Sequence, residues 1–145
     1  MIRYHEPEAM IGWAAEQIDG KYRDDARAIG VEEAGSLIAV GVFDTWFFVK
    51  GQPTDCHFSL VTRPGARWQS RSFFQALAAF PFITAGCIRA TSHIPENNAE
   101  AIAGAMHLGM QFEGRLRGAA RDDGDILVFG LLRRDCRWVP RQPIL

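Results

Sequence analysis

The sequence predicts an α+β domain in which three helices pack against the strands of a sheet. Runs of β-branched and aromatic residues recur along the chain and are separated by Gly and Pro, which is typical of strands. Three other segments repeat apolar residues at the three- and four-residue spacing of an amphipathic helix. With 145 residues, 48% of them hydrophobic and 23% charged, residues 1–145 are expected to form one domain around one core.

The first half of the chain is predicted to contain a strand, a helix and three further strands. MIRYHEP is a short strand ended by a proline, and Met10, Ala14 and Ile18 then recur at helical spacing until DGK. The segment 26–55 is broken by glycines and by KGQP, which predicts two antiparallel strands, and CHFSLVT is a further strand.

The second half is predicted to contain a helix, a strand, a helix and two strands. WQSRSFFQALAAF places Phe73 and Leu77 on one apolar helical face, and Pro81 ends this helix. The strand GCIRATSH precedes a helix at about 97–108, and the strands MQFEGRLRG and ILVFGLLRR flank the acidic turn RDDGD. Residues 138–145 are too rich in proline to extend the sheet and are expected to form an irregular tail.

Composition and charge exclude several classes of function. The formal net charge of −1 gives no overall electrostatic reason to bind nucleic acid or an anionic membrane. The longest apolar runs are far shorter than the ~20 residues of a membrane helix, and there is no N-terminal secretion pattern. The three cysteines form no CxxC pair, so neither a disulfide framework nor a metal site is predicted. We therefore expect a soluble, cytoplasmic protein with no nucleic-acid or membrane partner.

The stretch RWQSRS, residues 67–72, is a candidate phosphate-binding loop. It leads into a predicted helix, and a helix N-terminus presents about four unpaired backbone N–H groups and roughly half a positive charge. Ser70 and Ser72 are able to cap the helix or to donate hydrogen bonds. Arg67 and Arg71 are able to pair with phosphate oxygens. The alternative is a capped helix start with solvated arginines.

A second pattern lies in the last predicted helix and the strand that follows it. Asn98 opens the helix, and Gly109 ends it 11 residues later. The residues of the pattern are Asn98, Ala101, Gly109, Met110, FEGRLR at 112–117 and Asp125. Together with the loop and helix at 67–77, they make the segment 56–138 resemble the Gcn5-related N-acetyltransferase (GNAT) superfamily. Within it, the chain is similar to the ribosomal-protein alanine acetyltransferase branch and to phage-encoded relatives.

The resemblance implies a GNAT fold: a mixed, mostly antiparallel sheet of six to seven strands, split at strand 4, with about three helices on its faces. It also implies acetyl-CoA as cosubstrate, with a bulged strand 4 binding the pantetheine arm through its backbone. Ser70 and Ser72 stand where the superfamily usually has glycines. The implied cofactor contacts are Leu60, Val61, Thr62, Arg67, Trp68, Gln69, Ser70, Arg71, Ser72 and Asn98. For Asn98, a helix-capping role is an equal alternative.

His57 is the candidate catalytic residue. It lies in the predicted strand DCHFSLVT, where the residues that share its face are Asp55, Ser59 and Val61. Some members of the superfamily that the chain resembles use a histidine or a glutamate on this strand as the proton acceptor. The alternative is a sheet histidine that only hydrogen-bonds a neighbour. His93 and Glu96 follow the next predicted strand and are secondary candidates, expected near the same end of the sheet.

The resemblance implies transfer of acetyl from acetyl-CoA to an unidentified primary amine, either a protein α-amine or a small amine, by direct attack. Many such enzymes carry a proton-donating tyrosine at the position of Ala105, so general-acid help from this position is lost. The alternative is a non-catalytic GNAT-fold protein, either a binding module or a phage structural protein, whose cleft side chains such as Trp68 would fill. The expected setting is a bacterial or phage-infected cell, and the expected state is a monomer or a homodimer.

Overall fold

The helices and strands follow one another in the predicted order. The computed structural model describes residues 1–140. The elements are β1 (Ile2–Arg3), α1 (Pro7–Ile18), β2 (Arg27–Glu33), β3 (Ser36–Val49), β4 (Gln52–Thr62), α2 (Arg71–Ala79), β5 (Arg89–Pro95), α3 (Ala99–Leu108), β6 (Gln111–Leu116) and β7 (Ile126–Leu132). Residues 138–140 contain no helix or strand, and the rest of the predicted tail, residues 141–145, lies outside the described residues.

The seven strands form one sheet in the order β1-β2-β3-β4-β5-β7-β6. Every neighbouring pair is antiparallel except β4 and β5, which run parallel and share one paired position, His57 with Thr91. From there β4 continues to Thr62 along β3 alone. The structure confirms the α+β class and the mixed, mostly antiparallel sheet that is split at strand 4.

Helices cover both faces of the sheet. On one face, Met10 of α1 is fully buried in a cluster that includes Val61 of β4. On the other face, α2 and α3 cover the larger core, in which Phe73 and Leu77 of α2 pack with strand residues such as Phe43. Burial of each such side chain stabilises the fold by about 1.5–3 kcal/mol. The two layers pack on both faces of β4, including the end that has left β5.

The predicted alternation along β4 is confirmed. Val61 belongs to the cluster beneath α1, whereas Cys56 and Phe58 belong to the core beneath α2 and α3. His57 contacts Asp44 of β3, which lies on the α1 side of the sheet. The period of two along a strand therefore places His57 on the face opposite α2 and α3.

The structure differs from the sequence prediction at Pro81, where the chain keeps a helical path. The α-helix ends at Ala79, because Pro81 lacks the N–H that an α-helix needs there and its ring crowds the preceding turn. The backbone widens instead into a π-helical turn, Phe80–Thr84, in which the Ala85 N–H donates to the Phe80 carbonyl at 2.9 Å. Pro81 is buried, so this turn extends the cover that α2 gives to the core.

Gly41 of β3 lies directly beneath Leu77 of α2. A Cβ at this position would overlap the Leu77 side chain and lie 3.3 Å from the Phe58 ring. We expect Gly41→Ala to lower the free energy of unfolding by about 1–3 kcal/mol, because the packed core has to shift.

The matched control is Gly12→Ala in α1, where no described atom beyond the adjoining helix backbone lies within 4 Å of the added Cβ. This change should raise the free energy of unfolding by up to about 1 kcal/mol, because alanine favours a helix. Urea unfolding of both variants checks the pair. A Gly41→Ala protein as stable as the wild type would show that α2 does not pack this closely on β3.

Candidate functional site

The split between β4 and β5 leaves backbone groups of β4 facing away from any strand. The Arg63 N–H donates to the Ile38 carbonyl at 2.8 Å, so odd-numbered residues at this end of β4 direct their backbone groups to β3. Leu60 and Thr62 therefore direct theirs to the side of β5. The Phe58 carbonyl has the same orientation and accepts a hydrogen bond of 2.7 Å from the Ser92 hydroxyl. Beyond that bond, Leu60 and Thr62 present N–H groups to the open split.

The bulge that the resemblance implies for β4 does not lie at this end of the strand. Leu60–Thr62 pair regularly with β3, and Val61 directs its backbone groups to β3. The register shifts lie nearer the tip of the β3–β4 hairpin, next to Asp44. There Thr45 has a φ of 52°, and the Asp25 carboxylate accepts the N–H groups of Thr45 and Trp46 at 3.0 and 3.1 Å. The carboxylate satisfies backbone donors at the disturbed part of the ladder, which stabilises the bulge here.

The predicted phosphate-binding loop lies at the N-terminus of α2. Ser70 is the N-cap residue, and its hydroxyl accepts the Phe73 N–H at 3.1 Å. The remaining polar side chains of the loop are exposed; they are Arg67, Gln69, Arg71 and Ser72. The capped helix start is therefore present, and both guanidinium groups are accessible to a ligand from solvent.

Trp68 supports this loop from the core. Its side chain is buried, and its ring lies edge-on to Phe73 and Phe74 with centroid distances of 6.2 and 5.7 Å. The loop on either side of it remains at the surface. Trp68 therefore fixes the position of the loop relative to α2, which places Arg67 and Arg71 near the helix N-terminus.

An open cavity of about 330 Å³ lies beside the loop. Its lining residues are Gln69, Ser70, Arg71, Phe74, His107 and Trp138. The Trp138 ring stacks on Phe74 with centroids 5.0 Å apart, and its Nε1 donates to the Leu108 carbonyl at 3.1 Å. The segment after β7 thus joins α2 to the end of α3. The sequence pattern did not indicate His107 or Trp138 as site residues, because their meeting depends on how the two helices are placed.

Asn98 and Ala105 lie on α3 and differ in exposure. Asn98 is the N-cap residue of α3, and its Oδ1 accepts the Ala101 N–H at 3.1 Å. The capping role is therefore present, and the exposed side chain leaves its amide NH₂ at the surface. Ala105 is only 6% exposed and packs in the core. The position of the missing tyrosine is thus an apolar contact of α3.

A second group of polar side chains lies on the α1 side of the sheet, around the last position where β4 meets β5. The Nδ1 atom of His57 is 3.5 Å from Oδ1 of Asp44; the side chains are 27% and 9% exposed. The His93 ring packs edge-on against His57, with centroids 5.1 Å apart. Two residues further along β4, the Ser59 hydroxyl donates to the Tyr22 hydroxyl at 3.5 Å. His57 is therefore part of a polar cluster in which the sequence had placed Ser59 and His93 but not Asp44 or Tyr22.

The environment fixes the charge of three members of this cluster. Burial alone would raise the pKa of Asp44, but the contact with His57 and the bond from the Arg23 N–H hold that pKa below its usual value. Burial and the neighbouring His57 lower the pKa of His93. Burial raises the pKa of Tyr22. At neutral pH, Asp44 is therefore a carboxylate, His93 a neutral imidazole and Tyr22 a neutral phenol.

The described residues, 1–140, offer no candidate metal site and no candidate membrane-spanning helix. Across this range, no group of three or more His, Cys, Asp or Glu side chains is arranged to hold a metal ion. None of the described helices is both long enough and apolar enough to cross a membrane. The three cysteines are buried free thiols.

No model of a protein family matches the chain, and no curated protein matches it by sequence. Solved structures do match its fold. A variant of the spermidine N-acetyltransferase SpeG from Vibrio cholerae aligns with a TM-score of 0.72 and 14% identity, over 92% of this chain and 93% of that one. The yncA protein of Salmonella typhimurium, a candidate acetyltransferase that was solved with its cofactor acetyl-CoA, aligns with a TM-score of 0.70 and 14% identity, over 92% of this chain and 93% of that one. At this identity the likeness shows the fold alone, and the chain has the GNAT fold.

Proposed function

We propose that this protein transfers the acetyl group of acetyl-CoA to a primary amine. The observation that carries the proposal is the split between β4 and β5, into which Leu60 and Thr62 direct backbone N–H groups. Preorganised backbone donors of this kind stabilise the negative charge that develops on a carbonyl oxygen during acyl transfer. One structure with the same fold was solved with acetyl-CoA, which supports this cosubstrate.

The residues around the start of α2 suit the phosphate groups of CoA. The exposed Arg67 and Arg71 flank a helix N-terminus, and both the arginines and the helix favour bound phosphate. The adjoining cavity of about 330 Å³ offers room for part of the cofactor. We assign the phosphates to Arg67, Arg71, Ser72 and Gln69, and the pantetheine arm to the backbone of β4 and the Asn98 amide.

The acceptor amine has to be neutral when it attacks. Bound acetyl-CoA supplies an activated thioester, and the chain has to supply a path for the amine proton. An α-amine with a pKa of ~7.7–8.0 is about a tenth neutral at pH 7. A lysine side chain has a pKa of ~10.4, so its deprotonation costs a further ~3.4 kcal/mol. A histidine base, His57, suits an α-amine or a weakly basic small amine. Because position 105 is alanine, no proton donor is available from that position, and the CoA sulfur leaves as a thiolate, which is tolerable for a thiol with a pKa of ~8.5.

Calorimetric titration with CoA tests the first step. We expect saturable binding to the wild type, and we expect Arg67→Ala and Arg71→Ala each to weaken it by about tenfold, because each removes a charge-assisted contact to phosphate. Arg27→Ala is the matched control, since Arg27 is an exposed arginine of β2 and should leave the affinity unchanged. A folded wild type that binds no CoA would rule out the proposed function.

The alternative, a non-catalytic binding or phage structural protein, predicts a cleft filled by side chains such as Trp68. Trp68 packs in the core and does not line the open cavity of about 330 Å³ at the N-terminus of α2, which supports a free site for the cofactor phosphates there. The finer assignments rest on the sequence pattern and stay proposals. They are the ribosomal-protein alanine acetyltransferase branch or its phage relatives, one domain spanning 1–145, a cytoplasmic location, and a monomer or homodimer.

A further inference from the structure

Asp44 is a charged side chain inside the sheet. It is 6% exposed and, with Ser92, is one of two buried polar residues in the described part of the chain. It interrupts a long apolar run of β3, LIAVGVFDTWFFV. A buried carboxylate costs several kcal/mol unless it is paired and hydrogen-bonded. The contacts of Asp44 therefore indicate what the residue does.

Two groups lie against the Asp44 carboxylate, one at each oxygen. Oδ2 accepts the Arg23 N–H at 3.3 Å, which ties the loop before β2 to β3. Oδ1 faces His57 across the β3–β4 hairpin, where the two residues are directly paired. The ring nitrogen next to Oδ1 is Nδ1, at 3.5 Å. The carboxylate accepts hydrogen bonds only, so Nδ1 is the nitrogen that should carry the proton.

We propose that Asp44 is a positioning residue that keeps a ring proton of His57 on Nδ1, so that Nε2 accepts the amine proton. This inference rests on the proposed function. As the amine nitrogen forms its bond to the carbonyl carbon, Nε2 takes one amine proton, and the C–S bond breaks with its electron pair leaving on sulfur. The His57 ring becomes positive beside the negative Asp44. The carboxylate thus both selects the tautomer and stabilises the product of proton transfer.

The other groups around His57 are compatible with this role. His93 of β5 is neutral at neutral pH because its pKa is lowered, so it adds no positive charge beside the ring. Tyr22 of the loop before β2 is neutral because its pKa is raised. Asp55 of β4 is engaged elsewhere, since both of its oxygens accept from the Thr91 hydroxyl at 3.0 and 2.9 Å. Asp44 is therefore the charged partner of the His57 ring.

The variant Asp44→Asn tests the proposal. The amide oxygen still accepts the Arg23 N–H, but the amide NH₂ then faces Nδ1 and donates to it, which moves the ring proton to Nε2. We expect kcat for amine acetylation to fall by about 10- to 100-fold, while the KM for acetyl-CoA changes by less than about threefold, because the cofactor site is untouched.

Nitrogen-15 NMR of the His57 ring reads the tautomer without any activity. The wild type should show a protonated Nδ1 and an unprotonated Nε2, and Asp44→Asn should show the reverse. The matched control is Asp55→Asn. It also removes one negative charge, two residues before His57 on the same face of β4, and should change neither kcat nor the tautomer of His57.

The outcomes separate this inference from the proposed function. A wild-type ring protonated on Nε2, or an active wild type whose Asp44→Asn variant keeps kcat within about threefold, overturns the role of Asp44. A wild type that acetylates no amine overturns the proposed function, and the NMR spectrum still decides whether Asp44 sets the tautomer. A tautomer change accompanied by loss of kcat and by an unchanged KM for acetyl-CoA supports the proposal.

Discussion

Replacing His57 with glutamine is expected to lower kcat for amine acetylation by about 10²- to 10⁴-fold, the usual effect of losing a general base. Glutamine keeps a polar side chain on this face of β4 but has no nitrogen that accepts a proton at neutral pH. The KM for acetyl-CoA should stay near its wild-type value, because the proposed cofactor contacts lie on the loop before α2 and on the backbone of β4. Steady-state kinetics with a saturating amine measure both constants.

His5→Gln is the control for this change. His5 is exposed beside Glu6 near the N-terminus, so the same substitution there should leave kcat unchanged. If His57→Gln keeps kcat within about threefold of the wild type, His57 is a structural histidine of the sheet, the alternative that its sequence context left open.

Replacing Phe73 with alanine is expected to lower the free energy of unfolding by about 3–5 kcal/mol. Phe73 is fully buried in the first turn of α2, and the Trp68 ring packs edge-on against it. The change leaves a cavity between α2 and the sheet that the rigid layers on both sides cannot close. It also loosens Trp68, so CoA affinity should fall together with stability.

Phe48→Ala is the matched control for stability. Phe48 lies near the tip of the β3–β4 hairpin with 56% of its surface exposed, so this change should cost at most about 1 kcal/mol. Guanidinium unfolding of the two variants measures the difference. A cost at Phe73 no larger than that at Phe48 would show that the first turn of α2 is not anchored in the core.

The strand and helix order was predictable from the sequence because it depends on local patterns. Alternation in DCHFSLVT separated Val61 from Phe58, and the structure places these side chains in two different clusters. The spacing of Phe73 and Leu77 likewise predicted the buried face of α2. Each of these predictions needs only the period of a strand or a helix.

The polar cluster around His57 was beyond the reach of such patterns. Asp44 and His57 are paired because of the register of the β3–β4 hairpin, and that register shifts at the bulge beside Thr45. The sequence did contain one indication of the role of Asp44: a buried carboxylate in an apolar strand is stable only when it is paired or hydrogen-bonded. His93 was expected near the same end of the sheet, and the parallel meeting of β4 and β5 brings its ring against His57.

The cavity beside α2 depends on the packing of distant segments in the same way. Trp138 reaches Phe74 only because the segment after β7 crosses the ends of α2 and α3. The sequence did place Arg67, Gln69 and Arg71 on an exposed loop at a helix start, since capping by Ser70 is a local property. The sequence did not predict the residues that line the cavity opposite the loop, His107 and Trp138.

Transfer of an isotopically labelled acetyl group to an amine tests the proposed function most directly. The protein is incubated with ¹³C-acetyl-CoA and a panel of amines, made up of peptides with a free α-amine and of small amines. Spermidine is included because several structures with this fold are named as spermidine N-acetyltransferases. We predict that mass spectrometry will show the labelled acetyl group on at least one amine, with one free CoA thiol released per acetyl transferred. Binding of CoA without acetylation of any amine, by a folded wild type, would contradict the catalytic account and favour a binding protein with this fold.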